Sequence, residues 1–392
     1  MTAPTITYDI YSDESLSNPY PIYEELRWLG SAVWMEPHNA FVLPRYTACR
    51  DALRNWRVFA SGNGVMMNDP MNAAASNQLM LCTDGERHSK LRSVVGAPLM
   101  TKALDNVRPL IETEAAALVD RLVAQRTFDA VSEFAQHLPV TIVSELVGLP
   151  EAGRERMLPW ASAVFNSIGP LNQRGLDSIG NIIEMNEFVS TKCTRDAVKP
   201  GGWAEALWDA VDRGDMDPSE PAMQLHNYTG PSLDTTINAT SNMIWLFSQN
   251  PEQWNLLRRQ PELIPNAIDE VLRLESPVQG FSRCTTESVD VDGITLPAGA
   301  RVLMLYAAAN RDERQFADPT VFDIQRANAG DHLGLGHGRH VCPGAHLARL
   351  EMRSLLNSLL PKVARFDLVE SSMALNNTMR GLATCTVNVI PA

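Results

Sequence analysis

Between His332 and Gly344 the chain reads His-Leu-Gly-Leu-Gly-His-Gly-Arg-His-Val-Cys-Pro-Gly, a single cysteine set among four glycines. No other stretch narrows the possible folds as much. Gly334, Gly336 and Gly338 alternate, so the backbone there is free to take positive φ and to lie close against a flat partner. Cys342 follows, and the Leu-rich pattern from Gly344 to Leu360 predicts a helix that starts at once. A thiol at a helix N-terminus meets unpaired backbone N–H groups and the positive end of the helix dipole, and both favour the thiolate that ligates metals. Two plainer readings compete: a buried structural cysteine in a turn, and a zinc cluster drawn from His332, His337, His340, Cys342 and His346. Zinc favours paired ligands at short loop spacings, and this array is irregular.

The rest of the chain frames that segment. Its 392 residues are 45% hydrophobic and 20% charged, enough to bury a large core. With 33 Lys plus Arg against 46 Asp plus Glu, the formal net charge of −13 argues against a nucleic-acid binder. No apolar run approaches the ~20 residues that span a bilayer. Residues 1–14 lack the basic start and apolar centre of a signal peptide, so a soluble, cytoplasmic protein is expected. Cys49, Cys82, Cys193, Cys284, Cys342 and Cys385 form no Cys-x-x-Cys pair, which disfavours both a disulfide framework and a four-cysteine zinc site.

Helical periodicity dominates. Residues 109–125 place Leu110, Ala115, Leu118 and Leu122 on one side, and residues 251–274 predict one or two helices. Short strands are predicted at 41–43, at 289–296 with a turn at Asp292-Gly293, and at 301–305. Residues 62–84 and 310–331 read as loops. One mainly α domain over residues 1–392, with small peripheral sheets, is the simplest organisation.

From Leu335 to Gly344 the chain resembles the signature of the cytochrome P-450 family, Phe-x-x-Gly-x-Arg/His-x-Cys-x-Gly, with Leu335 where most members carry Phe. The resemblance implies a triangular helical domain with small peripheral β-sheets and haem b (iron protoporphyrin IX) as cofactor. Cys342 falls on the axial iron ligand, Gly336 and Gly344 fall beside it, and aliphatic Leu335 still shields the sulfur from water. Of three Glu-x-x-Arg occurrences, Glu24/Arg27 and Glu151/Arg154 read as surface helix pairs. Glu270/Arg273 precedes the cysteine by the family's interval, and Phe322-Asp-Ile-Gln-Arg326 resembles the family's meander. Glu270, Arg273 and Arg326 are then expected as a buried ion network, which holds only when every member is paired. The family's haem-propionate contacts map onto His88, Arg92, Arg283 and His340. The resemblance runs from Asn18-Pro-Tyr-Pro to Asp367.

The family's oxygen-activating helix, Ala-Gly-x-Asp/Glu-Thr-Thr, matches Pro231-Ser-Leu-Asp234-Thr235-Thr236, which puts Asp234 and Thr235 at the proton-relay positions. Pro231 is expected inside that helix, freeing the Asn227 carbonyl and kinking the axis. Within the family the chain is similar to bacterial members that oxidise para-substituted benzoic acids, at Val164-Phe-Asn-Ser-Ile-Gly-Pro, Leu233-Asp-Thr-Thr-Ile-Asn and Glu275-Ser-Pro-Val-Gln. Matching positions make Leu81, Phe165, Ile168, Pro231, Leu233, Val278 and Phe281 the pocket walls. Where those relatives hold a carboxylate, this chain has Ala75, Gln78, His226 and Asn227, and residues 59–86 contain no Lys or Arg. Burying a carboxylate without a cation costs on the order of several kcal/mol. The expected substrate is therefore a neutral or phenolic aromatic oriented by Gln78, His226 and Asn227, with Met66, Met67, Met71 and Met80 as adaptable packing over the pocket mouth.

The reaction implied is hydroxylation or O-demethylation by dioxygen, with electrons from a small ferredoxin and its reductase docking near Arg339, Arg349 and Arg353. The alternatives are a peroxide-driven oxygenase, a natural-product tailoring oxygenase, and a non-catalytic haem- or ligand-binding protein.

Overall fold

Proline stands in the first turn of four helices that frame the cysteine loop, where its missing N–H would have had no helical partner anyway. The computed structural model describes residues 2–151 and 153–392. The side chain of Arg154, and with it the Glu151/Arg154 pair, lies outside the described residues. The helices that matter here are α1 (Gly85–Gly96), α2 (Arg108–Gln125), α3 (Met157–Ile168), α4 (Ile179–Lys192), α5 (Pro221–Thr229), α6 (Pro231–Gln249), α7 (Ile264–Leu274) and α8 (Ala345–Leu359). Helix α2 turns a slightly different face inward than expected: Ile111, Ala115, Leu118 and Leu122 are buried, while Leu110 is exposed.

The strands are β1 (Thr5–Ile6), β2 (Val33–Met35), β3 (Ala40–Leu43), β4 (Phe59–Ala60), β5 (Thr127–Asp129), β6 (Phe281–Thr285), β7 (Val289–Val291), β8 (Ile294–Leu296), β9 (Arg301–Met304), β10 (Val363–Met373) and β11 (Leu382–Pro391). Six form one mixed sheet in the order β1-β2-β3-β9-β6-β4. β10, β11 and β5 form a second sheet, and β7–β8 is a hairpin. The β7–β8 turn falls at Asp292-Gly293, both at positive φ, as its twist requires. Two expectations are corrected. Residues 62–84 contain a helix, Asp69–Ala75, capped by the Asn68 side chain. The longest strands, β10 and β11, were not expected: β10 is mostly polar and half-solvated, whereas β11 does alternate, burying Cys385, Val387 and Val389.

The main apolar core joins α2, α3 and α5 to α8 with the second sheet. A separate cluster packs the six-stranded sheet against the C-terminal end of α3. Among the described residues no helix is long and apolar enough to cross a membrane.

Candidate active site

The cysteine loop threads between α7, α8 and residues 53–54. Gly336 and Gly338 hold φ of 71° and 69°. A Cβ on Gly338 would stand 2.7 Å from the Leu53 carbonyl, and one on Gly334 2.8 Å from that of Leu272, so neither position admits a side chain without a shift. The Cys342 N–H closes the loop on the Leu335 carbonyl at 2.8 Å. Burial pushes the Cys342 thiol above its ordinary range. The Gly344 and Ala345 amides at the start of α8, with the charges of Arg92 and Arg349, pull the other way. The helix-terminus effect therefore has the expected sign but is outweighed by desolvation.

Beside the sulfur lies a basic cradle. His88, on α1, is 1% exposed, and neither ring nitrogen has a partner. Its ring centroid is 4.1 Å from that of His340. Burial, then the charges of His340, Arg92 and Arg339, push the His88 pKa down to about 3. Arg92 is close enough to bias Cys342, and buried Arg283 faces His340. His340 Nε2 lies 3.1 Å from Ser61 Oγ and 3.4 Å from Asp84 Oδ1. Two orphaned nitrogens on a buried ring, beside arginines and a second histidine, suit an anionic group with several acceptor oxygens. The residues thus fit a haem whose propionates enter here. Asp84 was not singled out in the sequence. It also accepts the Gly62 N–H at 2.6 Å, and these bonds outweigh burial in holding its pKa low.

Behind the loop, Glu270 and Arg273 on α7 are fully buried. Arg273 Nε and Nη2 donate to the two Glu270 oxygens at 2.7 and 2.8 Å, and Arg326 Nε reaches them at 3.0 and 3.1 Å. Remaining guanidinium donors go to the carbonyls of Asn310, Pro319, Val321 and Asp318. The structure thus brings the three residues together with every charge paired. Glu24 and Glu151 take no part. Arg27, by contrast, is buried, bonding Glu313 and the Ala308 carbonyl, so it is no simple surface residue. Buried Asn310, unremarked in the sequence, links network to loop: its side chain accepts the Leu333 N–H at 2.6 Å and donates to Ser276 Oγ at 2.7 Å.

Helix α6 carries Asp234 and Thr235. Pro231 does not kink a helix from within. α5 ends at Thr229, α6 begins at Pro231, and Gly230 joins them, because the ring belongs best in a first turn. Thr235 Oγ1 donates to the Pro231 carbonyl at 2.8 Å. The Asp234 carboxylate has no hydrogen-bond partner among the described residues, and burial raises its pKa to about 6. Leu233 lies on the opposite helical face, fully buried in the main core, and is not a pocket wall.

Phe165, Ile168 and Val278, with partly buried Leu81 and Phe281, share one apolar cluster with Met66 and Met379. Met379 sits in the β10–β11 turn and bridges Val278 through the backbone. That turn is anchored by a network no local pattern announces: Glu275 accepts from Arg380 Nε at 3.1 Å, Arg311 Nη2 at 2.8 Å and the Tyr20 hydroxyl at 2.7 Å. The polar wall differs from expectation. Gln78 is exposed, and its carbonyl rather than its amide is engaged, by Gln224 Nε2 at 2.7 Å. Asn227 spends its amide on Gln224 as well, at 2.9 and 3.0 Å. His226 is left without a hydrogen-bond partner among the described residues, and burial pushes its pKa down to about 4, so it is neutral. The methionines do not form one lid: Met66, Met67 and Met80 pack in three different clusters, with Met71 beside the first.

Arg349 is paired with Asp269 at 2.7 Å, and Arg339 lies over the Trp56 ring at 4.5 Å. Arg349 and Arg353 line a groove with Arg108, His346, Thr101 and Leu104. Among the described residues no group of three or more His, Cys, Asp or Glu is arranged to hold a metal ion, which removes the zinc cluster.

The sequence profile described as Cytochrome P-450 matches residues 256–380. Cytochrome p450 CYP199A2 of Rhodopseudomonas palustris is 32% identical over 393 residues, covering 99% of this chain and 95% of its own. The biotin biosynthesis cytochrome P-450 of Bacillus subtilis is 30% identical over 378 residues, covering 93% and 94%. The crystal structure of P450BioI in complex with hexadec-9Z-enoic acid ligated acyl carrier protein is similar with a TM-score of 0.86, at 27% identity over 96% of this chain and 99% of that one. CYP109Q5 from Chondromyces apiculatus follows with a TM-score of 0.83 at 26% identity, covering 99% of each. With relatives matched along almost its whole length and a shared fold, the chain belongs to the cytochrome P-450 family and is a haem b-binding monooxygenase of the oxidoreductase class.

Proposed function

We propose that this monooxygenase hydroxylates or O-demethylates a small neutral or phenolic aromatic, taking electrons from an acidic ferredoxin served by its own reductase in the cytoplasm. The observation that carries the reading is the apolar cluster of Phe165, Ile168, Val278, Phe281 and Met379; His226, kept neutral by burial, is the candidate polar contact. Flat rings suit such walls. A single imidazole can orient a hydroxyl or ether oxygen but cannot neutralise a carboxylate.

Cys342 would hold the iron, with its thiolate kept from water by Leu335 and faced by the amides of Gly344 and Ala345. His88, Arg92, Arg283 and His340 would hold the propionates, and Gly336 keeps the loop turned through its positive φ. Haem ligated by a thiolate, when bound, supplies cleavage of dioxygen and transfer of one oxygen atom to the substrate. The chain's own part is proton management. Thr235 commits its hydrogen to the Pro231 carbonyl and leaves its lone pairs to accept. Asp234, with a pKa of about 6, exchanges protons near neutral pH. Arg339, Arg349 and Arg353 supply the basic docking face, with Arg108 and His346 sharing the groove of Arg349 and Arg353; Arg108 is paired with Asp105 and Arg349 with Asp269.

Substrate-induced spin-state titration tests this reading. Phenols and methoxyarenes should shift the haem to high spin at concentrations about tenfold below those needed for the matching benzoates. Equal or tighter benzoate binding overturns the neutral-substrate assignment. Replacing His226 by Phe should weaken phenols and leave plain alkylarenes unchanged.

A further inference from the structure

His332 opens the cysteine loop with its side chain 1% exposed. Its Nδ1 accepts the Gly334 N–H at 3.1 Å, which leaves Nε2 to carry the ring proton. Nε2 stands 3.5 Å from Asp269 Oδ1, and the same oxygen accepts Arg349 Nε at 3.0 Å and Nη2 at 2.7 Å. One residue past Gly334, the Leu335 carbonyl holds the Cys342 N–H at 2.8 Å. A run of polar contacts therefore leads from Arg349, 29% exposed in the groove on α8, to the backbone of Cys342.

We propose that His332 is a positioning residue for the cysteine loop, with Asp269 behind it. The proposal rests on Cys342 being the iron ligand. Among the described residues Gly334 has no other partner for its N–H. Loss of the His332 acceptor leaves this part-buried donor unpaired, and the loop relieves it by shifting and admitting water toward the sulfur. Asp269 orients the ring from behind.

The test uses the haem-loaded full chain, reduced under carbon monoxide, and follows the rate at which the thiolate-ligated Soret band converts to the blue-shifted form. His332→Leu should convert at least about threefold faster, and Asp269→Asn should fall between it and the wild type. His332→Asn, whose Oδ1 falls close to the place of Nδ1, should restore the wild-type rate, a rescue that bulk packing would not give. Wild-type rates in His332→Leu overturn the proposal. Should His332→Leu fail to retain haem, Asp269→Asn decides: a faster conversion supports the proposal, and an unchanged one overturns it. A wild-type protein without a thiolate-type band removes the proposal together with the Cys342 reading, an outcome distinct from unaltered variants.

Discussion

Asp234 is placed against its own stability. Its folded pKa of about 6, against an ordinary value of 3.8, means that the folded protein binds this proton more tightly than the unfolded chain. The stability this contributes is present below about pH 4, shrinks as pH rises, and is gone above about pH 6. Asp234→Asn should therefore raise the melting temperature at pH 8 and leave it unchanged at pH 4, a gain on the order of 1–3 kcal/mol. The same change should cut turnover about tenfold or more, since the amide exchanges no proton. A stabilised variant with full turnover would exclude Asp234 from the relay. Glu351 on α8 shows the same sign more strongly, pushed up to about 8 by burial with one oxygen unpaired. Glu351→Gln should gain stability at pH 9 and none at pH 5, measured by thermal unfolding.

At this scale the sequence was informative about contacts at fixed spacing: Glu270 and Arg273 pair with each other and with Arg326, and His88 lies beside His340, while what these residues and Cys342 do toward haem belongs to the proposed function. It failed for Leu233, whose helical phase turns it into the core. It failed also for Gln78, whose backbone carbonyl rather than side chain meets Gln224, and for Asn227, whose amide turns back on Gln224 one turn earlier in α5.

Among the elements, the α5–α6 junction is decided by a single missing donor. Gly230 keeps helical dihedrals, φ −83° and ψ −63°, so only the proline separates the two helices. Pro231→Ala should restore the bond to the Asn227 carbonyl and fuse them, visible as a protected amide at position 231 in hydrogen exchange, worth about 0.5–1.5 kcal/mol. An unprotected amide would mean that packing, not proline, ends α5. The tie between α7 and the 310–331 segment is the Glu270 network. Arg326→Ala leaves part of the Glu270 charge uncompensated in a fully buried site and should cost about 3–5 kcal/mol with loss of haem retention. Helices α2, α7 and α8 and strands β3, β7, β8 and β9 were legible from period and punctuation. β10 and β11 were not: β10 is mostly polar and half-solvated, and although β11 buries Leu382, Cys385, Val387 and Val389 in the main core, the two are aligned by pairing with each other and with β5.

For the molecule as a whole, a net charge of −13 coexists with a groove lined by Arg108, His346, Arg349 and Arg353. Reduction by an acidic ferredoxin should slow steeply as ionic strength rises, because a local basic patch within an acidic surface steers only at low screening. A rate that is flat or rises with salt would move electron delivery to another face. The fold class was open to reading because composition and helical period agree on it. The substrate was not, since pocket walls come from α3, the segment after α7 and the β10–β11 turn, which meet only in three dimensions. The central claim is that Cys342 holds haem iron as a thiolate. The direct measurement is the absorption spectrum of the reduced protein under carbon monoxide, for the wild type and Cys342→Ala. A strongly red-shifted Soret band present in the wild type and absent from the variant is the predicted result. A wild-type band at the imidazole-ligated position, or one unchanged in Cys342→Ala, would contradict it.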